Sequence, residues 1–339
     1  MGVQGIGIPT TAAIQSPVLA RKRLGVPALK SLGSLSNLKL PQSDLNENNV
    51  KKDSKINFVN EDLTFICNLG AGAGGTVSKV LHKPTGIAMA RKIVKLAPND
   101  ENQEKIEKQI IRELRILRVV QSPYIVSFYG AFLHGEEINI MLEFMDLGAL
   151  DSIYNRTGPI PEIAVSTICF QILSGLTYLY ENHKIVHRDI KPSNILVSSQ
   201  GLAKIADFGV SKETAETMAM TFIGTQCFLA PERIREGSPC TPASDVWSVG
   251  LVAMEIALAR FPFPSEAMKT YFDMMQFITQ EKSPTLPKNM FTPEFEDFCG
   301  FCLMKDPLQR PHPKQLLETP FVQKGSMFNL KEWTDSFKQ

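Results

Sequence analysis

Hydrophobic and polar positions change rhythm twice along this 339-residue chain. The first 57 residues show no periodicity. They hold no aromatic side chain, are rich in Ser, Pro, Asn and Gly, and set eight Lys and Arg against three Asp and Glu. Such a segment has too little apolar surface to offset the entropy of ordering it, so residues 1–57 are expected to form a disordered basic tail. From Phe58 short strand-like runs begin: Leu63–Leu69, Val77–Leu81 and Ala88–Lys95, with turn residues such as Lys83-Pro84-Thr85-Gly86 between them. A helix is predicted near Glu101–Val120, and the runs Val126–Leu133 and Ile138–Phe144 predict two more strands.

Beyond Gly148 the period lengthens. Ile163–Glu181 carries Ile168, Ile172, Leu176 and Leu179 at helical spacing. Ser244–Arg260 is apolar nearly all round, the pattern of a helix buried at the centre of a lobe. No internal repeat is apparent. The predicted fold class is therefore α+β, a strand-rich lobe followed by a helix-rich lobe, with a cleft between them of the kind where ligands bind.

Composition narrows this only slightly. Hydrophobic residues make up 43% and charged residues 21%, and a net charge of +1 gives no general reason to expect nucleic acid or a membrane as partner. The tail holds +5 of that charge, which leaves about −4 on the rest. Six scattered cysteines read as reduced thiols of a cytosolic protein. Cys299 and Cys302 form a C-x-x-C pair without a second ligand pair at metal-binding spacing, so they are read as two thiols within a helix. No secretory signal or membrane span is expected. The apolar stretch Val249–Ala259 is interrupted by Glu255 and too short to cross a bilayer.

Five parts of the sequence carry chemistry. Leu69-Gly70-Ala71-Gly72-Ala73-Gly74-Gly75-Thr76-Val77 lies between two strand-like runs, and its glycines let backbone N–H groups approach phosphate oxygens. A dinucleotide-binding fold would need a helix directly afterwards, whereas Val77–Leu81 reads as strand. Lys92 follows on the next strand-like run, within reach of a nucleotide's phosphates. Glu113 lies on or beside the apolar face formed by Ile110, Leu114 and Leu117, where a carboxylate needs a cation, and Lys92 is the candidate. In His187-Arg188-Asp189-Ile190-Lys191-Pro192-Ser193-Asn194, Asp189 can accept a proton from an attacking hydroxyl. Lys191 can screen a transferring phosphoryl group, and Asn194 offers an oxygen ligand to Mg²⁺. Asp207-Phe208-Gly209 supplies a second metal ligand, Asp207, ahead of Ala230-Pro231-Glu232.

These parts, in this order, resemble the eukaryotic protein kinase family. The resemblance implies the bilobal kinase fold, with ATP and Mg²⁺ in the cleft between a small β-rich N-terminal lobe and a larger helical C-terminal lobe. It implies a kinase domain over residues 58–322, with 323–339 as a C-terminal extension. It would make Asp245 a brace for the catalytic loop and Arg310 the salt-bridge partner of Glu232. Leu142 falls at the family's gatekeeper position, with Glu143 to Met145 as the adenine-binding hinge.

The finer pattern looks like a mitogen-activated protein kinase kinase, closest to fungal-type members. It is carried by His82-Lys83-Pro84-Thr85-Gly86, Gln109-Ile110-Ile111-Arg112-Glu113-Leu114 and Lys191-Pro192-Ser193-Asn194-Ile195-Leu196-Val197, among other stretches. Kinases of this group phosphorylate Thr and Tyr in the activation loop of a MAP kinase. The family's paired phosphosites fall on Thr217 and Thr221, although Glu213–Met220 and Phe228-Leu229-Ala230-Pro231-Glu232 depart from the usual pattern. In the tail, Arg21-Lys22-Arg23 with Leu24 and Val26 looks like a docking motif for an acidic patch and apolar pockets on a MAP kinase. The implied partners are a MAP kinase substrate, an upstream MAP kinase kinase kinase and a scaffold protein. The implied location is the cytoplasm, with the nucleus left open by the basic cluster. The alternatives are a Ser/Thr-only kinase from a neighbouring tier, or a non-catalytic scaffold of kinase fold.

Overall fold

A computed structural model describes residues 58–72, 75–95, 103–207, 228–234, 240–264 and 270–338. The tail with Arg21, Lys22, Arg23, Leu24 and Val26, the loop tip Ala73-Gly74, and the segment with Thr217 and Thr221 lie outside the described residues.

The strand-rich lobe is built from β1 (Leu63–Gly72), β2 (Gly75–His82), β3 (Ile87–Lys95), the helix α1 (Gln103–Val119), β4 (Phe128–His134) and β5 (Glu137–Glu143). The strands form one antiparallel sheet in the order β1-β2-β3-β5-β4. Its register sets Lys92 opposite Val77 on one side and Ile140 on the other. Because side chains alternate along a strand, Lys92 and Ala90 share one face while Met89 and Arg91 share the other. That second face carries a small core of Val80, Met89 and Met141, closed by Phe58 from just ahead of β1. Gly130 makes room for the Phe58 ring, since a Cβ there would stand 2.7 Å from its edge. Helix α1 buries Ile110, Leu114 and Leu117, as their spacing predicts.

The helical lobe follows: β6 (Gly148–Ala149), α2 (Leu150–Thr157), α3 (Glu162–His183), β7 (Ile195–Val197), β8 (Ala203–Ile205), α4 (Pro231–Ile234) and α5 (Pro242–Leu258). After these come α6 (Tyr271–Gln280), α7 (Pro293–Cys302), α8 (Pro313–Leu316), α9 (Pro320–Ser326) and α10 (Leu330–Asp335). Proline in the first turn of α5, α7, α8 and α9 suits positions whose N–H has no helical partner. Helix α5 is buried on all sides from Ser244 to Ala257, which explains its lack of a polar face. Helix α3, rather than α5, is long and apolar enough by composition to cross a membrane, but 67% of its most apolar 18-residue stretch is buried inside the protein as a core helix. It packs against α5 and α9. The last turns close over it: Phe321 stacks on Phe295 with ring centroids 4.5 Å apart, and Ser166 of α3 donates to the Phe321 carbonyl. Cys299 and Cys302 lie buried on α7, and burial pushes both thiols well above their ordinary range, which leaves them protonated and unreactive.

Gln171 of α3 ties the lobe's small sheet β6-β7-β8 in place, its Oε1 accepting from the Ala203 N–H at 2.6 Å and its Nε2 donating to the Gly201 carbonyl at 3.2 Å.

Glu255, which breaks the apolar run of α5, is fully buried, and the Tyr154 hydroxyl donates to it at 2.5 Å. Burial pushes this carboxyl up to about 7 from an ordinary 4.5. A group raised on folding stabilises the fold below its unfolded pKa and loses that contribution as pH climbs through its folded pKa. Glu255 therefore stabilises the protein fully below about pH 4.5 and loses the whole contribution, roughly 3 kcal/mol, by pH 8. Glu255→Gln, which cannot ionise, should gain thermal stability relative to the parent between pH 5 and pH 8. Unfolding midpoints across that range check this, and parallel curves for the two proteins would refute it.

Candidate active site

The site lies where the sheet of the first lobe faces β7 and β8 of the second. The glycine-rich segment is the β1–β2 hairpin, with Gly70 opposite Val77, Ala71 opposite Thr76 and Gly72 opposite Gly75. Strand follows strand here, which excludes a dinucleotide-type strand-to-helix turn. Gly75 is required: its φ is +114°, and a Cβ would sit 2.1 Å from the Ile93 carbonyl oxygen. Leu69, Gly70 and Ala71 thus lie on β1, and Thr76 and Val77 on β2, with Val77 beside Lys92 in the sheet.

Lys92 Nζ is 2.5 Å from Asp207 Oδ1 and 3.9 Å from Glu113 Oε1. The sequence named Glu113 as the partner of Lys92. The structure brings the two together but gives the nearer position to Asp207. Burial opposes the charge on Lys92, yet the two carboxylates outweigh it and hold its pKa above the ordinary value. Glu113 is raised by its burial, against the pull of Lys92. Asp207 itself adopts a left-handed φ of +53°, a conformation that costs about 1–3 kcal/mol outside glycine and tends to mark functional positions.

The loop after α3 is held by Asp245 at the start of α5. Its Oδ2 accepts the His187 N–H and its Oδ1 the Arg188 N–H, each at 2.8 Å. Arg188 takes a φ of +73° at this point. Asn194 Nδ2 donates to the Asp189 carbonyl at 2.8 Å and to Asp189 Oδ2 at 2.9 Å, and Lys191 Nζ lies 3.2 Å from the same Oδ2. One carboxylate, one cation and one amide are thereby fixed together next to Asp207, whose neighbour Ala206 donates its N–H to the Asn194 carbonyl at 2.8 Å.

Residues 63–322 match the family described as protein kinase domain. The chain is 46% identical to the mitogen-activated protein kinase kinase MST7 of Pyricularia oryzae, over 80% of this chain and 68% of the relative. It is 41% identical to the dual specificity mitogen-activated protein kinase kinase dSOR1 of Drosophila melanogaster, over 79% and 72%. It is 38% identical to the dual specificity protein kinase FUZ7 of Mycosarcoma maydis, over 84% and 77%. The chain belongs to the MAP kinase kinase family of protein kinases.

A protein kinase uses ATP and a divalent metal ion, and the residues of this kinase fit both. With Asn194 Nδ2 turned to Asp189, its Oδ1 is the atom left to meet a cation, beside the half-exposed Asp207 carboxylate. Among the described residues no group of three or more His, Cys, Asp or Glu side chains could hold a metal. Two hard oxygen donors suit an ion that completes its shell with phosphate oxygens and water.

At the back of the cleft Leu142 stands opposite Ala90 on β3, and Met145 is buried with its carbonyl accepting from the Gly148 N–H at 3.2 Å. The Glu143 side chain pairs with Lys204 of β8, at 2.8 Å and 2.9 Å from its two oxygens. Lys204 was missed in the sequence, although a lone lysine in the apolar run Ala203–Ala206 is the kind of position that calls for a partner. Glu232 and Arg310 of the kinase meet as the resemblance implied. Arg310 Nη1 reaches Glu232 Oε1 at 2.8 Å, Nη2 bonds Oε2, and the guanidinium also holds the Ala243 carbonyl at 2.6 Å. Burial works against the Glu232 charge, but Arg310 outweighs it and holds that carboxyl below its ordinary range.

Asp245→Asn replaces one of two accepting oxygens by an NH₂ that faces a backbone N–H. The loop would lose about 1–3 kcal/mol of support. Turnover should fall about ten- to a hundredfold, read by steady-state kinetics beside an unfolding curve. An unchanged kcat would show that the brace is not needed.

Proposed function

We propose that this kinase transfers the γ-phosphoryl group of ATP to both Thr and Tyr hydroxyls in the activation loop of a MAP kinase. The observation that carries the proposal is the convergence of Asp189, Lys191, Asn194 and Asp207 on one side of the cleft with Lys92 and Glu113 on the other. The relatives named as dual specificity kinases support the substrate class.

Asp189 would orient the attacking hydroxyl and take its proton, and Lys191, 3.2 Å away, would screen the phosphoryl charge. Lys92, kept charged by two carboxylates, would orient the α- and β-phosphates beneath the hairpin of residues 69–77. Glu143 to Met145 would receive the adenine. Asn194 and Asp207 would hold Mg²⁺, which when bound neutralises charge on the phosphates. Positioning and charge neutralisation, more than covalent chemistry, are what these residues supply.

In regulation, phosphate on Thr217 and Thr221, added by an upstream MAP kinase kinase kinase, would bring about −1.5 to −2 charge per site, to be met by basic partners such as Arg188. Arg21, Lys22, Arg23, Leu24 and Val26 would dock the MAP kinase, and a scaffold protein would assemble the tiers.

The test is an in vitro assay against a panel of MAP kinases, read for phosphothreonine and phosphotyrosine. Both are expected on one substrate. Phosphothreonine without phosphotyrosine would instead assign the chain to a Ser/Thr-only tier. Asp189→Asn should cut transfer by about 10²–10⁴-fold with an unchanged unfolding curve, and normal turnover by that variant would overturn the assignment. Thr217→Asp with Thr221→Asp should exceed the corresponding double alanine variant in basal transfer, and equal rates would remove both threonines from the switch.

A further inference from the structure

We infer that Lys204 is a positioning residue of the transfer reaction: its ion pair with Glu143 locks the adenine-binding hinge to the strand that delivers Asp207. The inference rests on the proposed nucleotide site, in which Glu143 to Met145 seat the base and Asp207 helps to hold the metal.

Lys204 projects from β8 with only 8% of its side chain exposed. A lysine in such surroundings is costly unless its charge is met. Here it is met on both oxygens of a single carboxylate, at 2.8 Å and 2.9 Å. Glu143 is the last residue of β5, and its carboxylate is gripped from a second direction, with Oε2 accepting the Ser127 N–H at 3.0 Å. The Glu143 N–H in turn donates to the Ser127 carbonyl at 2.9 Å. The segment that holds Ser127 is itself bonded to β8, through Val126 N–H to the Ile205 carbonyl and Ile205 N–H to the Tyr124 carbonyl, each at 2.9 Å. Three pieces of backbone are thus joined at one carboxylate: the end of the small-lobe sheet, the segment leading into β4, and β8 of the helical lobe.

Lys204 lies three positions ahead of Asp207 on the same stretch of chain. The pair therefore spans the nucleotide site from behind, with one end at the base and the other near the phosphates. Exposed ion pairs contribute little, but a buried pair that loses one partner leaves an uncompensated charge. Without its partner, either side chain would turn toward water and release the hinge from β8. The consequence falls on the nucleotide and not on the protein substrate, whose hydroxyl meets Asp189 on a different loop.

The experiment compares Lys204→Met, Lys204→Arg, Glu143→Gln and the double variant Lys204→Met with Glu143→Gln. Each is purified as the full chain, with steady-state kinetics, titration with a fluorescent ADP analogue and an unfolding curve. Lys204→Met and Glu143→Gln should each raise KM for ATP, and weaken the analogue, about tenfold. KM for the protein substrate should stay the same. The double variant should cost no more than either single one, since both remove the same contact. Lys204→Arg, which keeps the cation, should bind nucleotide close to the parent. Nucleotide binding unchanged in both single variants would overturn the inference, as would penalties that add in the double. A fall in unfolding temperature without a change in nucleotide affinity would reduce the pair to a stability element. If Lys204→Met does not fold, Glu143→Gln and Lys204→Arg decide by the same readouts. The ADP titration needs no turnover, so failure of the proposed activity, read with the parent protein, stays separate from failure of the clamp.

Discussion

Lys92 and Asp207 are separated by 115 positions, come from opposite lobes and meet at 2.5 Å. The proposed catalytic arrangement depends on this contact across the cleft. A lysine that is only 12% exposed would shed its proton to escape desolvation if nothing opposed it. The Asp207 and Glu113 carboxylates oppose it and keep the cation that phosphates require. The contact holds only if β3 is fixed in its sheet and Asp207 is fixed beyond β8. The order β1-β2-β3-β5-β4 provides the first. The bonds of β8 to the segment before β4, and of Ala206 to Asn194, provide the second.

Elsewhere the molecule repeats the same rule, that an ionisable group leaves water only where another group takes water's place. Asp245 receives two backbone N–H groups, Glu232 a two-pronged guanidinium and the Ser244 hydroxyl, Glu143 a lysine and an amide, and Glu255 a phenol. All four join elements far apart in sequence, which converts an electrostatic requirement into a geometric one. Asp245 fixes where the loop after α3 turns, and the Glu232–Arg310 pair fixes α4 against the start of α5. Glu255 differs in that burial outweighs its hydrogen bond to Tyr154, and its carboxyl rises to about 7 for that reason.

Most elements were legible because their period was. The runs Leu63–Leu69, Val77–Leu81 and Ala88–Lys95 became β1, β2 and β3, the first two longer by three residues and the third by one because pairing extends a strand past its apolar stretch. Ile163–Glu181 and Ser244–Arg260 became α3 and α5 within two residues at each end. The cluster of Asp189, Lys191, Asn194 and Asp207 was legible for a different reason, since the roles proposed for them need particular functional groups at short separations along the chain. What escaped was partnership across the fold. Lys204 stands in an apolar run without a visible partner until β8 is seen to run behind the end of β5. Phe58 marks only the end of the tail until Gly130 opens a place for its ring.

The sequence by itself determined the order of elements, the two lobes and the chemical identity of the site, because periodicity and short-range spacing are properties of neighbouring residues. Tertiary structure alone decided which carboxylate stands nearest Lys92, what closes the outer face of the sheet, and that Glu143 is tied to the opposite lobe. Those outcomes depend on distances between residues dozens of positions apart, and burial, which sets the strength of every charge in the cleft, exists only once the chain has folded.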